Sequence, residues 1–193
     1  MRKLIQTFGS LNLRKRYKTT SFGSLARMIV GQQLSSKAAS TIFVRFEKII
    51  PTQDIHDCHS VVKIETQHLR SAGLSSAKAK FIRELALAAC DGRLPHLATL
   101  RKMPETTIRE ILLQFNGIGF WTIEMFEIFI LGKPDVLSLH DAGLRRGFEL
   151  AYETDAEGKQ GLKKYAAIWS PFCSTASLYL WKAADNPERL RKS

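Results

Sequence analysis

An apolar residue recurs every third or fourth position along almost the whole of this chain, and that period admits one class of secondary structure. Leu25, Met28 and Ile29 follow it, as do Ile42, Phe43, Phe46 and Ile50, after Ser35 or Ser36 as a cap. Phe81, Ile82, Leu85, Ala86 and Ala89 repeat it until Gly92 and Pro95 end the segment. Thr107-Ile108-Arg109-Glu110 has the form of a capping box that opens a further helix. Tyr165, Ile168 and Trp169 lead into Phe172, Ala176, Tyr179 and Leu180, and Ser170-Pro171 suggests a last helix with proline at its first position. No segment alternates as a strand would, and there is no internal repeat or low-complexity linker. The pattern predicts an all-α fold of about ten helices.

At 193 residues, 45% of them hydrophobic, the chain can bury a proper core as one compact unit or two small lobes. Its 29 Lys and Arg against 18 Asp and Glu leave a net charge of +11, the footprint of a nucleic-acid binder and also of a merely solvated basic surface. No apolar run approaches the ~18 residues needed to span a bilayer, so no membrane partner is expected. The first twenty residues carry Arg2, Lys3, Arg14, Lys15, Arg16 and Lys18 and no acid, interleaved with Leu4, Ile5, Phe8, Leu11 and Leu13. That composition suits a transit peptide for organellar import, but the preferred reading is a basic first helix packed on the body of the domain.

Cys58, Cys90 and Cys173 are odd in number, widely spaced and without a CxxC pair, which suggests neither a disulfide framework nor a thiolate cluster. Four close cysteines for an iron–sulfur centre are missing. Asp54-Ile55-His56-Asp57-Cys58-His59 gathers metal-ligating side chains, but the spacing fits no familiar site and no distant pair completes it, so it reads as a polar loop. His68 and His96 stand in polar contexts.

Function is concentrated between Phe115 and Asp141. Gly117-Ile118-Gly119 spells a tight turn in which glycine permits positive φ and close approach of another surface. The apolar run Trp121-Thr122-Ile123-Glu124-Met125-Phe126 follows as a helix, whose first amides have no intrahelical acceptor and offer a phosphate site at the positive end of the dipole. Glu124 and Glu127, three apart, mark the wet face of that helix rather than a second catalytic acid. A lone carboxylate, Asp141, follows twenty residues after Trp121; read alone, it is an ordinary helix cap before Ala142-Gly143-Leu144.

The order and spacing of Asn116-Gly117-Ile118-Gly119-Phe120-Trp121-Thr122, Gly132-Lys133-Pro134-Asp135-Val136 and Asp141-Ala142-Gly143-Leu144-Arg145-Arg146-Gly147 resemble the helix-hairpin-helix DNA glycosylase superfamily, in its 3-methyladenine DNA glycosylase II type. The resemblance runs from about Phe22 to Trp181. It takes in the opening helix Leu25 to Ser35, a wedge loop at Ala72-Gly73-Leu74-Ser75 with Lys78-Ala79-Lys80, and Trp169, Pro171 and Leu178-Tyr179-Leu180-Trp181 near the end. It implies a single unit over 1–193 in two helical lobes, one of about 1–30 plus 136–193 and the other of about 31–135, with the substrate cleft between them. There is no room for the β-rich amino-terminal domain of the larger members, so the compact form is implied.

The activity implied is hydrolysis of the N-glycosidic bond of alkylated purines, the 3-methyladenine and 7-methylguanine class, in double-stranded DNA containing damaged bases. The same fold serves other lesions such as hypoxanthine or ethenoadenine, and a non-catalytic DNA-structure binder is a third possibility. Asp141 matches the family's catalytic aspartate. Trp121, Met125 and Trp181 match positions lining the base pocket, where an aromatic face attracts a cationic base; core packing is the plainer role for both tryptophans. Relatives that also nick the backbone have a lysine at the position of Trp121, so a monofunctional enzyme without lyase activity is implied. Gly117, Ile118 and Gly119 of the hairpin, Leu74, Ser75 or Ser76 of the wedge, and Lys78, Lys80, Arg145 or Arg146 are the implied DNA contacts. No cofactor is implied beyond a structural Na+ or K+ on the backbone carbonyls of Leu113, Phe115 and Ile118. Asn116 replaces the usual hairpin proline, Met125 a pocket tyrosine of some members, and Cys173 a basic residue. A monomer is the family's habit, placed with the nucleoid in a bacterial cytoplasm or in a eukaryotic nucleus.

Overall fold

The computed structural model describes residues 1–13, 19–152 and 158–191; Arg14, Lys15, Arg16 and Lys18 of the basic amino-terminal segment lie outside them. The elements run α1 Arg2–Phe8, α2 Ser21–Gly31, α3 Ser36–Ile49, α4 Cys58–Val62, α5 Thr66–Ser71, α6 Ser76–Cys90, α7 Leu97–Leu100, α8 Glu105–Leu112 and α9 Phe120–Phe126. A π-helical turn, Glu127–Leu131, comes next, followed by α10 Ala142–Tyr152, α11 Gly158–Trp169, α12 Cys173–Asp185 and α13 Pro187–Arg191. There is no strand among the described residues, so the all-α expectation holds. The number of helices exceeds about ten because α4, α5, α7 and α13 are pieces of four to six residues, too short to show a period. No helix is long and apolar enough to cross a membrane among the described residues.

The chain forms two compact units, one of Met1–Lys15 with Glu127–Ser193 and one of Arg16–Phe126. These bounds differ from divisions near 30 and 135. Phe22, Leu25, Ala26, Ile29 and Val30 make α2 buried along most of its length, and it packs on α3, α6 and α9, so it belongs wholly to the second unit.

Within the second unit, side-chain caps set the starts of α2, α3, α4 and α6. Thr20 accepts from Gly23 N for α2, Ser35 rather than Ser36 from Ala38 N for α3, and Ser75 from Lys78 N for α6. The capping box expected at Thr107 does not form. α8 begins three residues earlier, at Glu105, with Pro104 at the cap position and no side-chain cap, so Thr107 lies inside the helix.

Within the first unit, α10 and α12 pack face to face over Leu144, Phe148, Ala176, Tyr179 and Leu180. Phe148, Tyr152, Tyr165 and Trp169 form one aromatic cluster with centroids 4.6–6.2 Å apart. The amino-terminal helix belongs to this body: Leu4 is buried, and the Tyr179 hydroxyl donates to Gly9 O while accepting from Leu11 N. Pro171 does not open the last long helix. The Ser170–Pro171 bond is cis, and α12 starts at Cys173, whose amide is taken by the Asp135 carboxylate at 3.2 Å.

Candidate active site

In the first unit, Asp141 sits immediately before α10. Its backbone carbonyl accepts from Arg145 N at 3.1 Å, and its Oδ1 accepts from Leu144 N at 2.7 Å, so it caps the helix as its position suggests. The same Oδ1 also accepts from the indole Nε1 of Trp181 at 2.9 Å. An ordinary cap needs no second donor. This one is clamped by a side chain forty positions away on α12, which fixes the direction in which the half-buried carboxylate points.

The spacing of the glycines in this motif explains how the pair meets. Gly143 and Gly147, four apart, share one face of α10. A Cβ at Gly147 would strike the backbone of Leu180, and one at Gly143 would press on Asp141 Oδ1 and Trp181 Cδ1, each at 3.1 Å. A side chain at Gly147 would push α10 off α12, and one at Gly143 would crowd the carboxylate and the indole where they meet. The Trp181 ring is further held by Phe129 of the π turn, with centroids 5.5 Å apart and planes tilted by 30°. Trp181 is half-buried rather than core.

The connecting loop is fixed to α12 by side chains. Ser174 Oγ donates to Lys133 O at 2.7 Å and accepts from Val136 N at 3.0 Å, while Ser174 N donates to Pro134 O at 3.0 Å. Asp135 accepts from Cys173 N and, at 2.6 Å, from Ser170 Oγ. Bonds from Cys173 first and Ser170 second hold its carboxyl below the ordinary aspartate value. Burial, and then Asp135, push the Cys173 thiol up to about 12. Cys173 is buried and so makes no surface contact of its own. Arg145 is half-buried and Arg146 exposed on α10.

In the second unit the hairpin lies between α8 and α9. Gly117 adopts φ +83°, and a Cβ there would run into the Phe81 ring, so this position needs glycine twice over. Gly119 does not share the positive φ expected of both glycines; it lies in open space as the residue before α9, and its carbonyl accepts the first helical bond, from Ile123 N at 3.1 Å. Ile118 is buried, and its amide donates to Phe115 O at 3.1 Å. Asn116, in the place of a proline, donates to Glu84 at 3.0 Å. A residue that sequence reasoning did not single out holds the turn: Gln32 Nε2 donates to Gly117 O at 2.8 Å and to Thr122 Oγ1 at 3.1 Å. A glutamine at a helix end carries no local signal for such a role.

Trp121 is 41% exposed on α9, so the core role is not the one it plays, whereas Met125 one turn on is 7% exposed and packed inside. Glu127 is fully buried, which overturns its placement on a wet face; the helix changes from α to π at that residue, and the facing expected from an uninterrupted 3.6-residue period is lost there.

Two expected DNA contacts are also corrected. Leu74 is 5% exposed and belongs to the core, so it is not available as a wedge, while Ser75 and Ser76 are exposed at the start of α6. Lys78 turns inward, donating to Val30 O at 2.9 Å and Gln32 O at 2.7 Å, carbonyls at the end of α2 that lack helical donors. Burial pushes its pKa below the ordinary lysine value. Lys80 stays exposed, with Glu84 at 3.8 Å. A side chain with the exposure a wedge needs is Leu34, at 38%, in the α2–α3 turn beside Gln33 with its φ of +57°.

Residues 26–171 match the model of the HhH-GPD superfamily of base excision DNA repair proteins. The chain is 30% identical over 168 residues, 86% of its length and 74% of the relative's, to DNA-3-methyladenine glycosylase 1 of Schizosaccharomyces pombe. Its structure is similar to that of a DNA-3-methyladenine glycosidase from Bacillus halodurans, with a TM-score of 0.85 at 37% identity, covering 96% of this chain and 86% of that one. It is also similar to the Schizosaccharomyces pombe 3-methyladenine glycosylase in complex with abasic DNA, with a TM-score of 0.84 at 29% identity over 95% and 90% of the two chains.

Proposed function

The chain belongs to the HhH-GPD superfamily of base excision DNA repair proteins, and we propose that within it this protein is a monofunctional DNA glycosylase acting on alkylated purines in duplex DNA. The observation that carries the reading is the Asp141 carboxylate held by Trp181 Nε1 and by the first turn of α10. A base stacked in a duplex is beyond reach, so the nucleotide is turned out of the helix, at a cost of a few kcal/mol that damage lowers. As the glycosidic bond breaks, its electron pair leaves with the base and positive charge develops on the sugar. An alkylated purine, cationic while attached, departs neutral. Asp141 stabilises that charge and takes a proton from the water that attacks the anomeric carbon, leaving an abasic site. Fixed by two donors before substrate arrives, the carboxylate need not reorganise during the reaction.

Trp181, bonded to Asp141, offers an aromatic face, and such a face attracts a cationic base by about 0.5–2 kcal/mol. The indole of Trp121 cannot form a Schiff base, so the enzyme uses water and does not cut the backbone. The amides of Gly117 and Gly119 bind phosphate, Lys80, Arg145 and Arg146 add charge, and Leu34 of the α2–α3 turn fills the space left by the extruded nucleotide. A monovalent cation would be held by the carbonyls of Leu113, Phe115 and Ile118 in a structural role. Leu113 caps the end of α8, where terminal carbonyls lack helical donors, and Phe115 O keeps a second lone pair beside its bond from Ile118 N. The protein works as a monomer, in the compartment that holds the genome.

The test is base release from methylated duplex DNA, with the freed bases identified by chromatography. Release of 3-methyladenine or 7-methylguanine, lost in Asp141→Asn, is the expected result; binding of DNA without release would overturn it. A covalent protein–DNA adduct trapped by borohydride would overturn the monofunctional assignment separately.

A further inference from the structure

The second unit holds a group of side chains that base excision does not use. Cys58 and His59 are the first two residues of α4, and Cys90 is the last of α6, which packs against it. The stretch that reads in sequence as a polar loop is therefore in part a helix, and the distant partner it lacks is Cys90. The two thiols are 3.1 Å apart, and one ligand atom from each of the three residues lies within 4.8 Å of the others.

We propose that Cys58, His59 and Cys90 bind a thiophilic divalent metal ion of the zinc class, clamping the start of α4 to the end of α6. Two soft sulfurs and an imidazole form a donor set that selects zinc over magnesium or calcium. Zinc holds sulfur at about 2.3 Å and imidazole nitrogen at about 2.0–2.1 Å, so tetrahedral donors lie about 3.5–3.8 Å apart, a spacing this group meets with small movements. A disulfide would need the sulfurs to close to about 2.0 Å and would make no use of the imidazole.

Acidic residues flank the group: Asp57, the cap of α4, precedes Cys58, and Asp91, the cap of α6, follows Cys90. Neither is a slack competitor for the ion. Asp57 accepts from Ser60 N at 3.1 Å, Ser60 Oγ at 2.6 Å and Thr52 Oγ1 at 3.1 Å, which also stiffens the turn carrying Cys58 and His59. Asp91 is bound to Arg93 at 2.8 Å. Both cysteines are half-buried while His59 is exposed, so an ion enters from solvent and water completes its coordination. Each thiol loses its proton to solvent as the ion binds, giving two protons released per ion.

Reduced, metal-stripped protein titrated with cobalt(II) and then zinc decides the matter. One cobalt per chain is expected, with a thiolate-to-metal charge-transfer band and the strong visible absorption of a tetrahedral site, both displaced by zinc. Cys58→Ser and Cys90→Ser should each cut the charge-transfer intensity per bound cobalt to that of one thiolate and weaken zinc binding by at least about 100-fold, beyond what losing an outer partner does. His59→Ala should weaken it less, and Cys173→Ser, outside the group, should change nothing. Circular dichroism checks that each variant folds. Should a serine variant unfold, mass mapping of the wild type shows whether zinc shields Cys58 and Cys90 from alkylation and leaves Cys173 as it was. Absence of the band at one equivalent, its undiminished intensity in either serine variant, or a reduced pair that refuses metal yet oxidises to a Cys58–Cys90 disulfide would overturn the proposal.

Discussion

Asp141 and the hairpin turn are both held in place by a residue distant in sequence, but by opposite means. Around Asp141 a distant side chain fixes a side chain, the Trp181 indole on the carboxylate, while Ser174 and Asp135 tie the approaching loop to the start of α12. Around Gly117 a distant side chain fixes the backbone itself, with Gln32 gripping a carbonyl and a positive φ completing the turn. The first arrangement suits chemistry, where one charge must point one way. The second suits phosphate, which any correctly shaped run of amides can bind. Substitutions in the first region should therefore change the rate of base release at constant DNA affinity, and substitutions in the second should change affinity first.

The largest effect tests the first half of that statement. Asp141→Asn keeps an oxygen for Leu144 N and for Trp181 Nε1, and asparagine caps helices as well as aspartate does. Only the charge is lost. Single-turnover base release should fall by about 10²–10³, or ~2.7–4 kcal/mol, with the melting temperature and the affinity for abasic DNA unchanged. A variant that also melts early or binds weakly would show that the carboxylate is as much a structural as a chemical group. Trp181→Phe comes next. It retains a ring against Phe129 but removes the donor to Oδ1; a bond to a charged group is worth about 1.5–3 kcal/mol, so release should slow by about ten- to a hundredfold. No change would mean that α10 alone aims the carboxylate.

The second half of the comparison carries smaller numbers. Gln32→Leu removes both bonds that hold the turn, each worth about 1 kcal/mol net, and should weaken duplex binding several-fold while leaving release from saturating DNA intact. Titration of binding against salt sharpens this. Arg145→Ala, Arg146→Ala or Lys80→Ala should each flatten the log–log slope by about 0.9 if the side chain meets a phosphate. Lys78→Ala should leave the slope alone, because its ammonium is engaged at the end of α2.

That contrast also explains what could be read from the sequence. Helices were legible because burial of one face repeats every turn, and Asp141, Gly117 and Ser35 stand at positions where local chemistry dictates a cap or a left-handed turn. Lys78, Leu74, Glu127 and the Cys58–Cys90 pair were not. For Lys78 and the cysteines, whether a polar side chain turns inward depends on carbonyls 46 and 48 positions away or a thiol 32 away, and local periodicity carries no record of that. Gln32 is of the same kind: its partners, Gly117 O and Thr122 Oγ1, lie 85 and 90 positions away in sequence. The start of α8 differs because Thr107, which has the form of a cap, lies inside a helix that already begins at Glu105 after Pro104.

The smallest effect concerns the loop before Asp141. Bonds from Cys173 and Ser170 hold the Asp135 carboxyl below its ordinary value, so the folded protein favours the ionised form. Stability from this group is fully present above the unfolded aspartate value of about 3.9 and is lost as pH falls through the lower folded value. Asp135→Asn removes that dependence. Its melting temperature should lie below that of the parent at neutral pH, and the gap should narrow below about pH 4, where the parent's carboxyl is itself being protonated. Base release measured at neutral pH should drop only slightly, because Ser174 still ties the loop to α12 through Lys133 O and Val136 N. A large loss of release with an unchanged melting temperature would instead assign Asp135 to the chemistry, and the side-chain framework around Asp141 would have to be extended to include it.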